Sequence, residues 1–206
     1  KEVGGSRVDA LAAKISRFHR RATVVEEPFD PRGLGEDYAD ILRHREQVER
    51  LLGKDALSTV EACVREALAY LDRNRSYLEE RVDRGLRRDG HGDLNARNIF
   101  LYDDPVIFDC IEFNDAFRRV DVFADIAFLC VDLDFFGEPG LARRFHARYV
   151  EFSGLADDPA SRSLFHYYMS YRANIRAKVS LISARQEGHR VDTADIASYV
   201  ELMARN

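Results

Sequence analysis

Apolar residues recur at helical spacing along most of the chain, and the breaks in that spacing divide it into elements. Val8, Leu11, Ala12, Ile15 and Phe18 form one stripe, and Ser6 followed by Asp9 is close to a capping box, so a helix is predicted from Ser6 to about Ala22. Pro28, Pro31, Gly33 and Gly35 predict a loop. A second helix is predicted from Glu36 to Leu52, burying Tyr38, Ile41, Leu42, Val48 and Leu51, with Gly53 as its stop. Ser58-Thr59-Val60-Glu61 reads as a capping box opening a long helix through Cys63, Val64, Ala67, Leu68 and Leu71, continuing to Leu86. Its charged end, Arg81 to Arg88, reads as a solvated helix face, with a positive patch as the alternative. Further helices are predicted over 121–136, ended by Gly137-Glu138-Pro139-Gly140, and through Leu141, Phe145, Tyr149 and Phe152. Asp158-Pro159, a cap followed by proline at the first helical position, opens one towards Gln186, with Gly188 just beyond. Thr193 is read as the cap of a last helix carrying Ile196, Val200 and Met203.

The period changes once. Ile99 to Tyr102 and Val106 to Phe108 are short apolar runs around Asp103-Asp104-Pro105, which predicts an antiparallel hairpin. That hairpin returns Asp109 to its own base, beside Asn98, while Asp93 stands five residues before Asn98 in the preceding loop. Three oxygen-bearing side chains then converge. Such a set suits Mg²⁺, a hard cation that takes few protein ligands and fills the rest with water and substrate phosphates. The order H-x-D-x-x-x-x-N, a strand turn, then D is that of phosphoryl-transfer loops, in which the first Asp is the base and the Asn and later Asp hold metal.

Composition narrows the classes. At 206 residues, 46% hydrophobic and 11% aromatic, the chain has the make-up of a globular protein, and one domain is the simplest count. A net charge of −5 argues against nucleic acid as partner. No run approaches the roughly 18–20 apolar residues that span a bilayer, and no signal peptide opens the chain, so a soluble cytoplasmic protein without membrane contact is expected. Cys63, Cys110 and Cys130 lie among apolar residues without metal spacing and are expected as buried free thiols. The opening Lys1-Glu2-Val3-Gly4-Gly5 lacks Met, so a fragment or a processed product is expected.

His91-Gly92-Asp93-Leu94-Asn95-Ala96-Arg97-Asn98-Ile99-Phe100, with Val106-Ile107-Phe108-Asp109, resembles the aminoglycoside phosphotransferase and choline kinase superfamily, whose pattern is H-G-D-L-x-x-x-N-I followed by an aspartate. With Cys110-Ile111-Glu112-Phe113-Asn114-Asp115 it is similar, more closely, to a bacterial branch in which the kinase-like domain is often fused to a P-loop ATPase domain. Val120 to Ala127 is similar to the superfamily's D-x-x-x-D-[LI]-A helix start, and Arg17-Phe18-His19-Arg20 and Tyr171 to Val179 also look like that branch. Asn95 stands where the superfamily often has histidine. Residues 1–90 hold no glycine-rich strand-turn-strand and no V-A-I-K-like lysine.

The resemblance implies a mostly α fold: the helical C-terminal lobe of a protein-kinase-like fold, with a small β-hairpin at the catalytic loop and without the N-terminal β-rich lobe. It implies an ATP-dependent phosphotransferase moving the γ-phosphate to a hydroxyl of a small molecule, with Mg²⁺ and ATP as cofactors and this chain inactive alone. Asp93 is then the catalytic base and Asn98 and Asp109 the metal ligands. His91 supports the loop, Glu112 occupies the position of the carboxylate in a choline-kinase-like I-D-F-E pattern and helps hold metal or substrate, with a surface or salt-bridge role as the alternative, and Asp125 buttresses the loop from its helix. The missing lobe and a P-loop ATPase domain are the implied partners; substrate-binding residues are not identified. Asp115, Asp132, Asp134 and Glu138 are read as scattered surface acids, with an amine pocket as the alternative. Two other readings remain: a catalytically silent kinase-like interaction or regulatory module, and a metal-dependent phosphohydrolase using the same ligands with water.

Overall fold

The stripe of Val8, Leu11, Ala12 and Ile15 becomes the buried face of α1 (Gly5–Arg21). The helix starts one residue before Ser6, so Gly4 is its N-cap, and no side chain caps it. Phe18, expected in the stripe, is 42% exposed, and His19, four residues on from Ile15, takes the buried place. The computed structural model describes residues 4–28, 30–186 and 192–206, and over these the fold is mostly α. Gly188 lies outside the described residues. The chain, expected as one domain, packs as two compact units: Lys1–Pro28 with Glu79–Phe165, and Phe29–Leu78 with His166–Asn206.

In the first unit, α6 (Val122–Phe135) is the central element. Every residue from Val122 to Asp132 is buried, as an almost uniformly apolar helix requires. Its cap is Asp121, whose carboxylate accepts the Phe123 N–H at 2.8 Å. The same carboxylate takes two bonds from Arg81, at 2.6 and 2.8 Å, and both side chains are buried. Arg81 belongs to α5 (Arg75–Asp83), and its guanidinium also lies over the Phe123 ring at 4.5 Å. α7 (Pro139–Ser153) packs against both α1 and α6. A bidentate pair, Arg144 to Asp9 with both bonds 2.8 Å, clamps α7 to α1.

The tract before the candidate loop is not a helix face. α5 ends at Asp83, and Arg87–Asp89 forms β1, antiparallel to β4 (Arg119–Asp121), with Arg87 opposite Asp121 and Asp89 opposite Arg119. Val24 bridges to Arg88 on the other edge. The predicted hairpin forms in shortened form, with β2 (Ile99–Phe100) against β3 (Val106–Ile107). Cys130 is buried as expected, Cys63 is half-buried, and Cys110 is exposed, because the chain beyond β3 runs along the surface.

In the second unit, α2 (Pro31–Ala39) occupies what reads as a loop. Asp30 caps it by accepting the Arg32 N–H at 2.9 Å, and Pro31 sits at the first helical position, where its missing N–H costs nothing. The single helix predicted from Glu36 to Leu52 is instead the end of α2, a 3₁₀ turn over Asp40–His44 and α3 (Arg45–Leu52); Gly53 stops it at φ 92°. α4 (Lys54–Arg73) begins four residues before the predicted cap, since Lys54 to Leu57 are good helix formers and Asp55 complements the dipole. Asn74 ends it, its side-chain amide donating to the Tyr70 carbonyl. The end of α8 (Pro159–Gln186) and α9 (Thr193–Arg205) complete the unit; Asp192, not Thr193, caps α9. Tyr38 is fully buried, and its hydroxyl donates to Ser170, which in turn donates to the Met203 carbonyl.

Removing one side of the buried Arg81–Asp121 pair strands a charge without water. Arg81→Met is expected to cost about 3–5 kcal/mol, read from urea midpoints at constant m-value; a loss below about 1 kcal/mol would mean that the pair contributes little. At the α1–α7 clamp, the Arg144 hydrogen bond holds the Asp9 carboxyl below its ordinary value. Its contribution is therefore present above about pH 4 and lost as pH falls through the depressed folded value. Arg144→Gln is expected to lower stability at neutral pH and to converge on the parent protein in acid; a difference that does not shrink with acid would point to packing instead.

Candidate active site

The candidate loop is suspended from α6. Asp125, 1% exposed, accepts the backbone N–H of His91 on Oδ2 at 2.8 Å and that of Gly92 on Oδ1 at 2.9 Å. Two helical turns further on, Asp132 accepts the Ala96 N–H at 2.9 Å. Asp132 is fully buried, so it is not one of a scatter of surface acids. Asp115 does lie at the surface, paired with Arg118 and Arg119.

Two glycines permit this approach. A Cβ on Gly90 would stand 2.7 Å from Asp125 Oδ2, and one on Gly92 would stand 2.7 Å from the Phe117 carbonyl. Gly92 also has φ +80°, a backbone state that side chains disfavour. Within the loop, the Asn95 N–H donates to the Asp93 carbonyl at 2.8 Å, and the Asn95 side chain accepts the Arg97 N–H at 2.9 Å, opening the 3₁₀ turn Ala96–Asn98. Asn95 thus caps the turn that presents Asn98.

The chain around Asp109 is laced to this loop. His91 Nε2 donates to the Phe108 carbonyl at 2.9 Å, the Phe108 N–H donates to the Asn98 carbonyl at 3.1 Å, and the Ile111 N–H to the His91 carbonyl at 3.1 Å. The expected proximity of Asn98 and Asp109 follows. The Asn98 side-chain amide donates to Asp93 Oδ2 at 3.1 Å, to the Asp93 carbonyl at 3.0 Å and to the Asp109 carbonyl at 3.4 Å. Asn98 is buried, Asp93 half-buried and Asp109 exposed, so the Asp109 carboxylate is not drawn into the helical core. Asp109 has φ 59°, the one non-glycine residue with positive φ among the described residues. Left-handed backbone at a side chain costs energy, and it aims the carboxylate where an extended strand would not.

Glu112 is exposed. Arg118 holds the segment around it, donating to the Ile111 carbonyl at 2.8 Å and to Asp89 at 2.8 Å. The Asp89 bond pushes the already high Arg118 pKa higher still.

Sequence reasoning placed Asp93, Asn98, Asp109, His91 and Asp125 at this site; hydrogen bonds join Asn98 to Asp93 and Asp125 to the His91 backbone, while Asp109 meets Asn98 through its backbone carbonyl and its carboxylate is exposed. Asp132, read there among surface acids, in fact holds the loop. Asp125 and Asp132, seven apart on an otherwise apolar helix, share a face, and that spacing was the available signal for Asp132.

No protein-family profile matches the chain, and neither does any solved structure. It is 35% identical over 187 residues to an uncharacterized protein of Mycobacterium tuberculosis (strain ATCC 25618 / H37Rv) and equally to one of Mycobacterium bovis. The match covers 87% of this chain and 36% of each relative, so the chain spans little more than a third of the length of the curated relatives it matches.

Gly92→Ala tests the suspension. A methyl group at positive φ against the Phe117 carbonyl is expected to cost about 1–3 kcal/mol, measured by urea unfolding. A neutral outcome would show that the loop can shift away from Phe117 without loss.

Proposed function

We propose that this chain is the catalytic lobe of an ATP-dependent small-molecule kinase of the aminoglycoside phosphotransferase-like superfamily. The carrying observation is the Asn98 side chain, which ties the Asp93 carboxylate and the Asp109 backbone into one constellation. Asp93, half-buried and fixed by that bond, orients the acceptor hydroxyl and takes its proton as the oxygen attacks phosphorus. The leaving group is the nucleoside diphosphate.

The donor chemistry fits Mg²⁺. Asn98 offers an amide oxygen and Asp109 an exposed carboxylate, both hard ligands beside a second carboxylate. Among the described residues no group of three or more His, Cys, Asp or Glu side chains could hold a metal ion. A site of two protein ligands completed by phosphate and water is what Mg²⁺ accepts, and what tight structural metals do not. Bound there, Mg²⁺ supplies charge neutralisation on the phosphates.

Kinase-like enzymes clamp ATP under a second lobe with a glycine-rich turn and a lysine on the phosphates. Before Arg87 the described residues form helices and the segments that connect them, with the Val24 bridge as their one β contact, and no glycine-rich strand-turn-strand occurs among them. The adenine and most phosphate contacts therefore belong to other parts of a longer protein in this reading. A cytoplasmic location fits a kinase that draws on ATP; no helix among the described residues is long and apolar enough to cross a membrane.

In the longer protein, Asp93→Asn is expected to lower kcat by roughly 10²- to 10⁴-fold with little change in nucleotide affinity. Full turnover in that variant would remove the base. Product analysis separates kinase from phosphohydrolase, since the reading requires phosphate on an acceptor rather than in solution. For this chain alone, calorimetry with Mg-ATP is expected to show binding weaker than about −8 kcal/mol; micromolar affinity would put the nucleotide site within these residues.

A further inference from the structure

Asp125 has a third donor. His19, on α1, places Nε2 at 3.0 Å from Oδ2, the oxygen that already accepts the His91 N–H. On its other side His19 Nδ1 stands 2.7 Å from the hydroxyl of Tyr149, on α7. All three side chains are buried.

With a neutral imidazole the order of donors is fixed. A carboxylate only accepts, so Nε2 carries a hydrogen; in that tautomer Nδ1 accepts, and the Tyr149 hydroxyl donates to it. Burial and the charges of Asp121 and Asp125 raise the Tyr149 pKa well above its ordinary value, which keeps its proton in place. Each atom then makes the bond its chemistry allows. A histidine that only filled space on α1 would need neither partner, and burying two polar groups costs energy unless they are paired.

We propose that Tyr149 and His19 form a positioning relay that fixes the Asp125 carboxylate, and through it the height of the loop carrying Asp93. The proposal rests on the reading of Asp93 as the base only for its functional meaning. Neither His19 nor Tyr149 is argued to touch substrate. The α1–α7 clamp of Asp9 and Arg144 holds the two helices in the geometry the relay needs. With His19 gone, Asp125 loses the ring N–H that holds Oδ2 from the α1 side, and Gly92 has no side chain to limit the loop that follows.

Hydrogen exchange at the His91 and Gly92 amides tests the relay in this chain, with no nucleotide or metal added. Tyr149→Phe, which removes one hydroxyl, and His19→Leu are each expected to speed exchange at these two amides by about five- to tenfold more than at core amides of α7. His19→Gln, whose side-chain amide can still donate to Asp125, is expected to restore most of the protection. Equal acceleration at α7 and at the loop, or none at the loop, would overturn the proposal, since a merely structural residue loosens the unit as a whole. Should His19→Leu fail to fold, Tyr149→Phe and His19→Gln carry the comparison alone. In the longer protein the same variants should lower kcat while leaving the KM for nucleotide unchanged. Altered exchange in a protein that transfers no phosphate would retain the relay and remove the kinase reading; unaltered exchange in an active kinase would do the reverse.

Discussion

A single buried carboxylate organises the first unit. Asp125 accepts two backbone N–H groups and a histidine ring N–H, and no water is needed to satisfy it. A charge in such a place is tolerated only because each donor is there; bonds to a charged group are worth about 1.5–3 kcal/mol each, and an orphaned carboxylate would cost several times that. The consequence runs outward. Gly90 must lack a side chain so that the carboxylate can approach, Gly92 must adopt a left-handed backbone, and α1 must stand close enough for His19 to reach.

The helix that carries Asp125 is unusual in the opposite sense, being apolar on nearly every side. Its buried acidic residues are therefore informative, because they have no solvent-facing stripe to occupy. Asp121 caps the helix and binds Arg81, while Asp125 and Asp132 face the candidate loop. The buried carboxylates along α6 are thus spent on other segments rather than on water, while Asp134, near its end, is half-exposed. Apolar burial fixes the helix in the unit, and the carboxylates use that fixed axis to place backbone that has no regular structure of its own. A loop so held can keep Asp93, Asn98 and Asp109 together without the hairpin being long.

What was legible in the sequence follows from the range of the interactions involved. The motif residues lie within nineteen positions, His91 to Asp109, and a hairpin brings them together, so their proximity could be read from local rules. The helices α1, α6, α7, α8 and α9 were legible from their stripes and breaks. Capping was less so. Asp158-Pro159 reads as a helix start, and Asp30-Pro31 is the same device, but Pro28, Gly33 and Gly35 around it signal a loop more loudly. Gly35 in fact serves packing, since a Cβ there would stand 2.9 Å from Leu68. Ser58 to Glu61 matches a capping box yet lies inside α4, because the preceding residues favour helix and nothing in four letters reports what comes before them. The β1 strand was invisible: Arg-Arg-Asp has no strand propensity, and only its partner at residues 119–121 makes it one. Arg81 with Asp121, and His19 with Tyr149, are joined across 40 and 130 positions, and no local pattern encodes such pairs.

The two α6 carboxylates that hold the candidate loop also act as a ruler. Seven helical residues separate them (132 − 125), which at 1.5 Å per residue is about 10 Å along the axis. The backbone they hold runs from Gly92 to Ala96, four residues (96 − 92), and four residues fully extended reach only about 13–14 Å. The loop is therefore gauged to two turns of helix with little slack. Its length, and not only its residue types, is set by α6: one residue removed leaves about 10 Å of reach, with no room for the turn that the bond from the Asn95 N–H to the Asp93 carbonyl closes. Substitutions at Leu94 or Arg97 can vary the chemistry of the loop, but its residue count is tied to the pitch of an α-helix.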